Sequence, residues 1–88
     1  MVRPGVYAYP NPAINDARFE FTNLNRDTYT LKIYNILGAE VLKKQYFVNG
    51  TRTEKVDLTD LRKGTYLYSL IDSKGKTLTT KRLMIIRP

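Results

Sequence analysis

Turn-forming residues interrupt this chain roughly every 8–12 residues, and the runs between them are too short and too alternating for anything but β-strands. Segments 5–9, 16–22, 28–35, 40–48, 51–57, 65–72 and 77–86 read as strands. In 28–35, Tyr29, Leu31 and Ile33 share one face while Thr30 and Lys32 point the other way, the period-2 pattern of a half-buried strand. In 65–72, Tyr66, Leu67, Tyr68, Leu70 and Ile71 make both faces apolar, which suits a central strand. Val41 is the surest apolar anchor of 40–48. The interruptions have mechanisms. Pro10 and Pro12 cannot donate to a ladder. Asn23 to Asp27 is polar and Asx-rich. Gly38 supplies a turn. Asn49-Gly50 is a strong two-residue hairpin signal. No 3.6-residue apolar stripe of useful length occurs. The expectation is an all-β chain with essentially no helix: a seven-stranded, immunoglobulin-like antiparallel β-sandwich, forming one domain over residues 1–88.

With 88 residues, such a domain buries only about 60 % of the surface its unfolded chain exposes, so every strand must contribute apolar area. The seven Tyr suit that need, because each brings apolar area with a polar tip. Cys and His are both absent. This excludes disulfides, ordinary zinc sites, Ser–His and Cys–His nucleophile systems and a His acid/base. Carboxylates remain, but Asp57 with Asp60 and Asp16 with Glu20 read as turn and cap groups, because a glycosidase-type pair needs a cleft between its members. Gly75-Lys76-Thr77 echoes the end of a phosphate loop, yet it sits in a hairpin with no helix N-terminus behind it. No catalytic residue, no metal site and no cofactor is expected; the chain does not read as an enzyme.

The formal net charge is +7, from 15 Lys and Arg against 8 Asp and Glu. These charges are spread along the chain and read as a solvated basic surface. Tyr29, Tyr66 and Tyr68 follow core rhythm rather than the exposed aromatic and basic interleaving of a single-strand binder, so no nucleic-acid partner is expected. Lys43-Lys44 and Lys81-Arg82 fit edge protection. No window approaches the roughly 18 apolar residues of a membrane-spanning helix, so no stable membrane insertion is expected. Met1-Val2-Arg3-Pro4 lacks the apolar core of an export leader, so an exported chain would carry its leader on a longer parent.

Several stretches, in order, carry a family resemblance. They are Tyr9-Pro10-Asn11-Pro12-Ala13; Leu31 to Val41 with its turn Gly38; Val56-Asp57-Leu58-Thr59-Asp60-Leu61 leading through Gly64 to Tyr66; and Lys81-Arg82 followed by Leu83-Met84-Ile85-Ile86. Together they resemble the type A C-terminal sorting domain of the type IX secretion system (the Por system), over about Tyr7 to Ile86. Asn35 and Ala39 depart from the usual Asp and Lys or Arg. The resemblance implies the C-terminal address of a longer cargo. The expected partners are a fused N-terminal cargo domain, the type IX translocon and surface sortase components. The expected location is the periplasm in transit, then the medium or the cell surface of a diderm bacterium, with cleavage near or before Met1. It links recognition to Lys81, Leu83, Met84, Ile85 and Ile86. An edge strand also leaves a homodimer open.

The residues have physical readings of their own. Pro10 and Pro12 hold Tyr9 and Asn11 extended, giving a stiff exit from the first strand. Gly64 calls for positive φ or close packing, and Tyr66 plugs an end of the sandwich. Four consecutive apolar residues at 83–86 exceed what one sheet face buries by alternation, so strand 76–86 suits β-augmentation of a partner; burial on both faces is the alternative. A second functional class, an immunoglobulin-like carbohydrate- or surface-binding module, would need an exposed aromatic platform. The chain has no Trp, and most Tyr sit in core rhythm.

Overall fold

The computed structural model describes residues 4–88. Five strands follow one another: β1 (Gly5–Tyr9), β2 (Asp16–Tyr34), β3 (Glu40–Asp57), β4 (Gly64–Ile71) and β5 (Thr77–Ile85). They form one antiparallel sheet in the order β1-β2-β4-β5, with β3 along the other side of β2. The chain is all-β, and no helix occurs among the described residues.

The seven short strands expected from the sequence resolve into these five. Segments 16–22 and 28–35 are halves of one 19-residue strand, and 40–48 and 51–57 are halves of one 18-residue strand. The polar residues Asn23 to Asp27 do not release the chain into a loop. They are absorbed as register shifts between Phe21 and Leu24 and between Leu24 and Asp27, with Asn23 at φ 52°. Opposite them, Asn49-Gly50 is not a hairpin: Gly50, at φ 89°, pairs with Leu24 inside β3. Extra residues in a ladder bend it and raise its twist. Here β2 and β3 bend at the same place, and the sheet curls over itself into a half-barrel instead of splitting into the two sheets of an immunoglobulin sandwich.

The curl lets β2 serve three neighbours. β1 pairs with its first half, from Gly5↔Thr22 to Tyr9↔Arg18. β4 pairs with its second half, from Thr30↔Ile71 to Tyr34↔Leu67. The core fills the concave side. Phe19 from the first half meets Tyr68 of β4 edge to face, with ring centroids 5.3 Å apart at 85°, a favoured aromatic geometry. Val6, Ala17, Phe21, Leu31, Ile33, Val56, Leu58 and Leu70 are buried around them. The apolar anchor of β3's first half is Val48, which is buried, and not Val41, which is exposed. A register shift between Ile33 and Tyr34 opposes Leu42 and Glu40 to those residues and leaves Val41 in the irregularity.

Turn chemistry fixes the connections. The Asn35 side-chain oxygen accepts from the amides of Leu37 and Ala39, each at 3.0 Å, while Gly38 takes φ 85°. Asn35 is therefore the acceptor that organises the β2–β3 turn. Gly64 has φ 154° with open space where a Cβ would sit, so backbone conformation, not close packing, explains it. Tyr66 is buried, in the core of a half-barrel and not at the end of a sandwich.

Candidate functional site

The terminal strand β5 pairs with β4 through Lys81↔Tyr68, Arg82↔Leu67, Leu83↔Tyr66, Met84↔Thr65 and Ile85↔Gly64. Strand alternation divides its apolar run into two pairs. Leu83 and Ile85 point into the core, at 0 % and 2 % exposure, while Met84 and Ile86 are 41 % and 46 % exposed. Burial on both faces is thereby ruled out. The inner pair holds the strand in place, and the outer pair contributes nothing to the core. Leu67, the β4 partner of Arg82, is exposed as well.

Lys81 leaves the strand in another direction. Its Nζ lies 3.5 Å from the centroid of the Tyr7 ring on β1. An ammonium over an aromatic face is attracted by the ring quadrupole, so Lys81 bridges β5 to β1. The phenol of Tyr68 spans the same region, accepting from the Ala8 amide at 3.1 Å.

The Pro-Asn-Pro box does more than leave β1 stiffly. After Tyr9 the chain crosses to β5 and runs along its outer edge as a strap. The Tyr9–Pro10 and Asn11–Pro12 bonds are both cis. Asn11 Nδ2 donates to the Arg82 carbonyl at 2.9 Å, and the Met84 amide donates to Asn11 Oδ1 at 2.9 Å. The Ala13 amide donates to the Met84 carbonyl at 2.8 Å, and the Ile86 amide donates to the Ala13 carbonyl at 2.9 Å. Ala13 thus forms a single parallel bridge with Ile85. Neither Pro has an N–H, so the Asn11 carboxamide, with one acceptor and a donor pair, stands in for a missing peptide group. The sequence contained this signal as an amide side chain between two prolines, although its target lies more than seventy residues away.

Beyond the strap, Arg87 closes the end of the domain. Its Nη2 donates to the carbonyls of Leu58 at 3.0 Å and Leu61 at 2.7 Å. The Leu58 amide in turn donates to the Asn15 carbonyl at 2.9 Å. Asp57 shapes the same turn. The Thr59 amide and hydroxyl, which donate to it at 2.9 and 2.7 Å, hold its carboxyl below the usual aspartate range. Asp16 faces Lys55, Oδ2 to Nζ at 3.5 Å. These carboxylates therefore hold turns and ion pairs. Among the described residues, no cluster of three or more His, Cys, Asp or Glu could hold a metal ion.

The arrangement offers exposed apolar side chains and a bonded backbone edge. It brings Met84 and Ile86 to the exterior, sends Leu83 and Ile85 inward, holds half-buried Lys81 over Tyr7, and sets Asn11, between Tyr9-Pro10 and Pro12, against Arg82 and Met84. Gly38 lies in the separate β2–β3 turn. Residues 7–86 match the profile of the family described as "Secretion system C-terminal sorting domain". No curated protein matches the chain.

Proposed function

This chain belongs to the family of secretion system C-terminal sorting domains, the sorting signals of type IX secretion, and on that premise we propose that β5 is the element the machinery reads. The family is one of secretion signals that direct a fused N-terminal cargo across the outer membrane to a secreted or cell-surface fate. Under our reading, residues 1–88 act as one sorting unit. The cargo passes through the periplasm, the translocon engages the domain there, and a surface sortase separates cargo from domain. The expected scissile bond, near or before Met1, lies outside the described residues.

The observation that carries the sorting role is the family match over residues 7–86. For recognition by β5, the support is the pair Met84 and Ile86, exposed at the end of the strand where the intervening Leu83 and Ile85 serve the core. Lys81, Met84 and Ile86 would touch the partner; Leu83 and Ile85 would hold the strand that presents them.

A secretion assay tests this reading. Residues 1–88 are fused to a periplasmic fluorescent protein in a bacterium with a type IX system and in a strain lacking its translocon. Fluorescence in the medium or on the surface of the first strain alone supports it. Equal retention in both strains, with the domain folded, overturns it.

A further inference from the structure

The strap occupies the backbone positions that a partner strand would need. At the outer edge of β5, the Arg82 carbonyl, both polar groups of Met84 and the Ile86 amide are already bonded to Asn11 or Ala13. A strand added there would first have to displace four hydrogen bonds, and backbone hydrogen bonding is the source of affinity in strand addition. The side chains beside this edge are in the opposite situation. Met84 and Ile86 point outward, and so do Ile14, one residue beyond the Ala13↔Ile85 bridge, and Leu67, the partner of Arg82.

The surroundings of this patch are cationic. Arg82 is exposed in the same row as Leu67, and exposed Lys63 precedes Gly64, the partner of Ile85. Neither side chain takes part in any of the ion pairs among the described residues. A few apolar side chains on a rigid sheet, bordered by unpaired cations, match an interface with an apolar centre and a charged rim, and the rim selects acidic partners.

We propose that the strap closes the edge of β5 to strand addition, and that the secretion machinery docks on Ile14, Leu67, Met84 and Ile86 through a protein surface with an apolar centre and a carboxylate rim. This rests on the reading that the machinery recognises β5, and it specifies how. The terminal strand and the Pro-Asn-Pro box are then two parts of one surface, and the strap fixes the register in which the strand displays its side chains.

The fluorescent fusion tests the mode of docking separately from the sorting role. Translocon-dependent export of the parent fusion establishes the role first. Met84→Glu and Leu67→Glu are then expected to lower the exported fraction by at least about tenfold, as loss of an interface anchor does, with the thermal midpoint unchanged. The double variant Lys63→Glu with Arg82→Glu should act in the same direction. Asn11→Asp, which removes the donor to Arg82, and Asn11→Ala, which also removes the acceptor for Met84, should not raise export; Asn11→Asp keeps the test informative if Asn11→Ala unfolds. Normal export of the Met84 and Leu67 variants overturns the proposal. So does a severalfold gain on opening the strap, which would mean that a partner strand competes for the edge. Flotation of the purified fusion with vesicles of phosphatidylethanolamine and phosphatidylglycerol, lost in Met84→Glu, would overturn it in favour of a lipid surface.

Discussion

The Tyr66 hydroxyl donates to the Arg62 carbonyl at 2.6 Å, four residues back along the chain. Tyr29 repeats the arrangement with Asn25, also at 2.6 Å. This is the tyrosine-corner device of β-sandwich proteins, used here on a half-barrel. Each ring fills the core while its polar tip ties down the chain four residues back, the lead into β4 for Tyr66 and the bend of β2 for Tyr29.

Tyr66 therefore does two separable things. Tyr66→Phe, which keeps the ring, should cost about 0.5–1.5 kcal/mol for the lost hydrogen bond. Tyr66→Ala should cost about 3–5 kcal/mol. Urea unfolding of both variants checks the ratio; equal losses would mean that the ring contributes little.

Arg87 holds two carbonyls of the Leu58–Leu61 turn. Arg87→Ala should lose about 1–2 kcal/mol, lowering the thermal midpoint by roughly 4–8 °C per kcal/mol. Lysine should restore only part of this, because its ammonium is a strongly hydrated point charge without the fixed, planar donor directions of the guanidinium Nη2 that serves both carbonyls. Differential scanning calorimetry of the three proteins reads the difference.

Gly50 carries the bend of β3 at φ 89°, and no atom lies within 4 Å of where its Cβ would be. Gly50→Ala should therefore cost about 1–2 kcal/mol from backbone conformation alone. Gly50→Asn should cost less, since Asn tolerates the left-handed region. Chemical denaturation of the pair distinguishes a conformational cost from a steric one, in which Asn would be the worse.

On β5, stability and sorting should separate by parity. Leu83→Ala removes a fully buried side chain and should cost about 2–5 kcal/mol. Met84→Ala should change stability by no more than about 0.5 kcal/mol. Thermal melts of the two, beside their exported fractions, test the division between inner and outer residues.

Acid should loosen the link between the bend of β2 and the β4–β5 turn. The Ser73 hydroxyl and the Thr28 amide, both donating to Asp27 at 2.8 Å, hold its carboxyl below the usual aspartate range. A carboxylate lowered in the folded state stabilises fully above its unfolded value of about 3.9. That contribution disappears as pH falls through the lower folded value. Asp27→Asn should thus show a smaller fall in thermal midpoint between about pH 6 and about pH 2 than the parent does. An unchanged fall would assign the acid sensitivity to other groups, Asp57 among them.

Much of this architecture was legible in the sequence. Alternation and turn composition pointed to an all-β chain, and the absence of helix among the described residues matches the missing 3.6-residue period. What failed was the meaning of two turn signals. Asn23 to Asp27 and Asn49-Gly50 have the composition of loops, but a residue at positive φ serves a bulge as well as a hairpin. Only their juxtaposition, Leu24 against Gly50, shows that both strands continue. Val41 looked like the anchor because local pattern cannot reveal a register shift. At the candidate site, the outward surplus on β5 was predictable from four apolar residues in a row. The strap was not, because its hydrogen bonds join residues at opposite ends of the chain.

That junction has a consequence for biosynthesis. Asn11 leaves the ribosome before its partners Arg82 and Met84, which are 71 and 73 positions behind it. A chain whose translation stops early lacks the core residues Leu83 and Ile85 and leaves Asn11 without a partner. Contacts of such long range cannot form until both segments exist, which makes them late and slow. The closed strap therefore exists only on molecules read through Ile86, and the fold itself reports that synthesis has passed that residue.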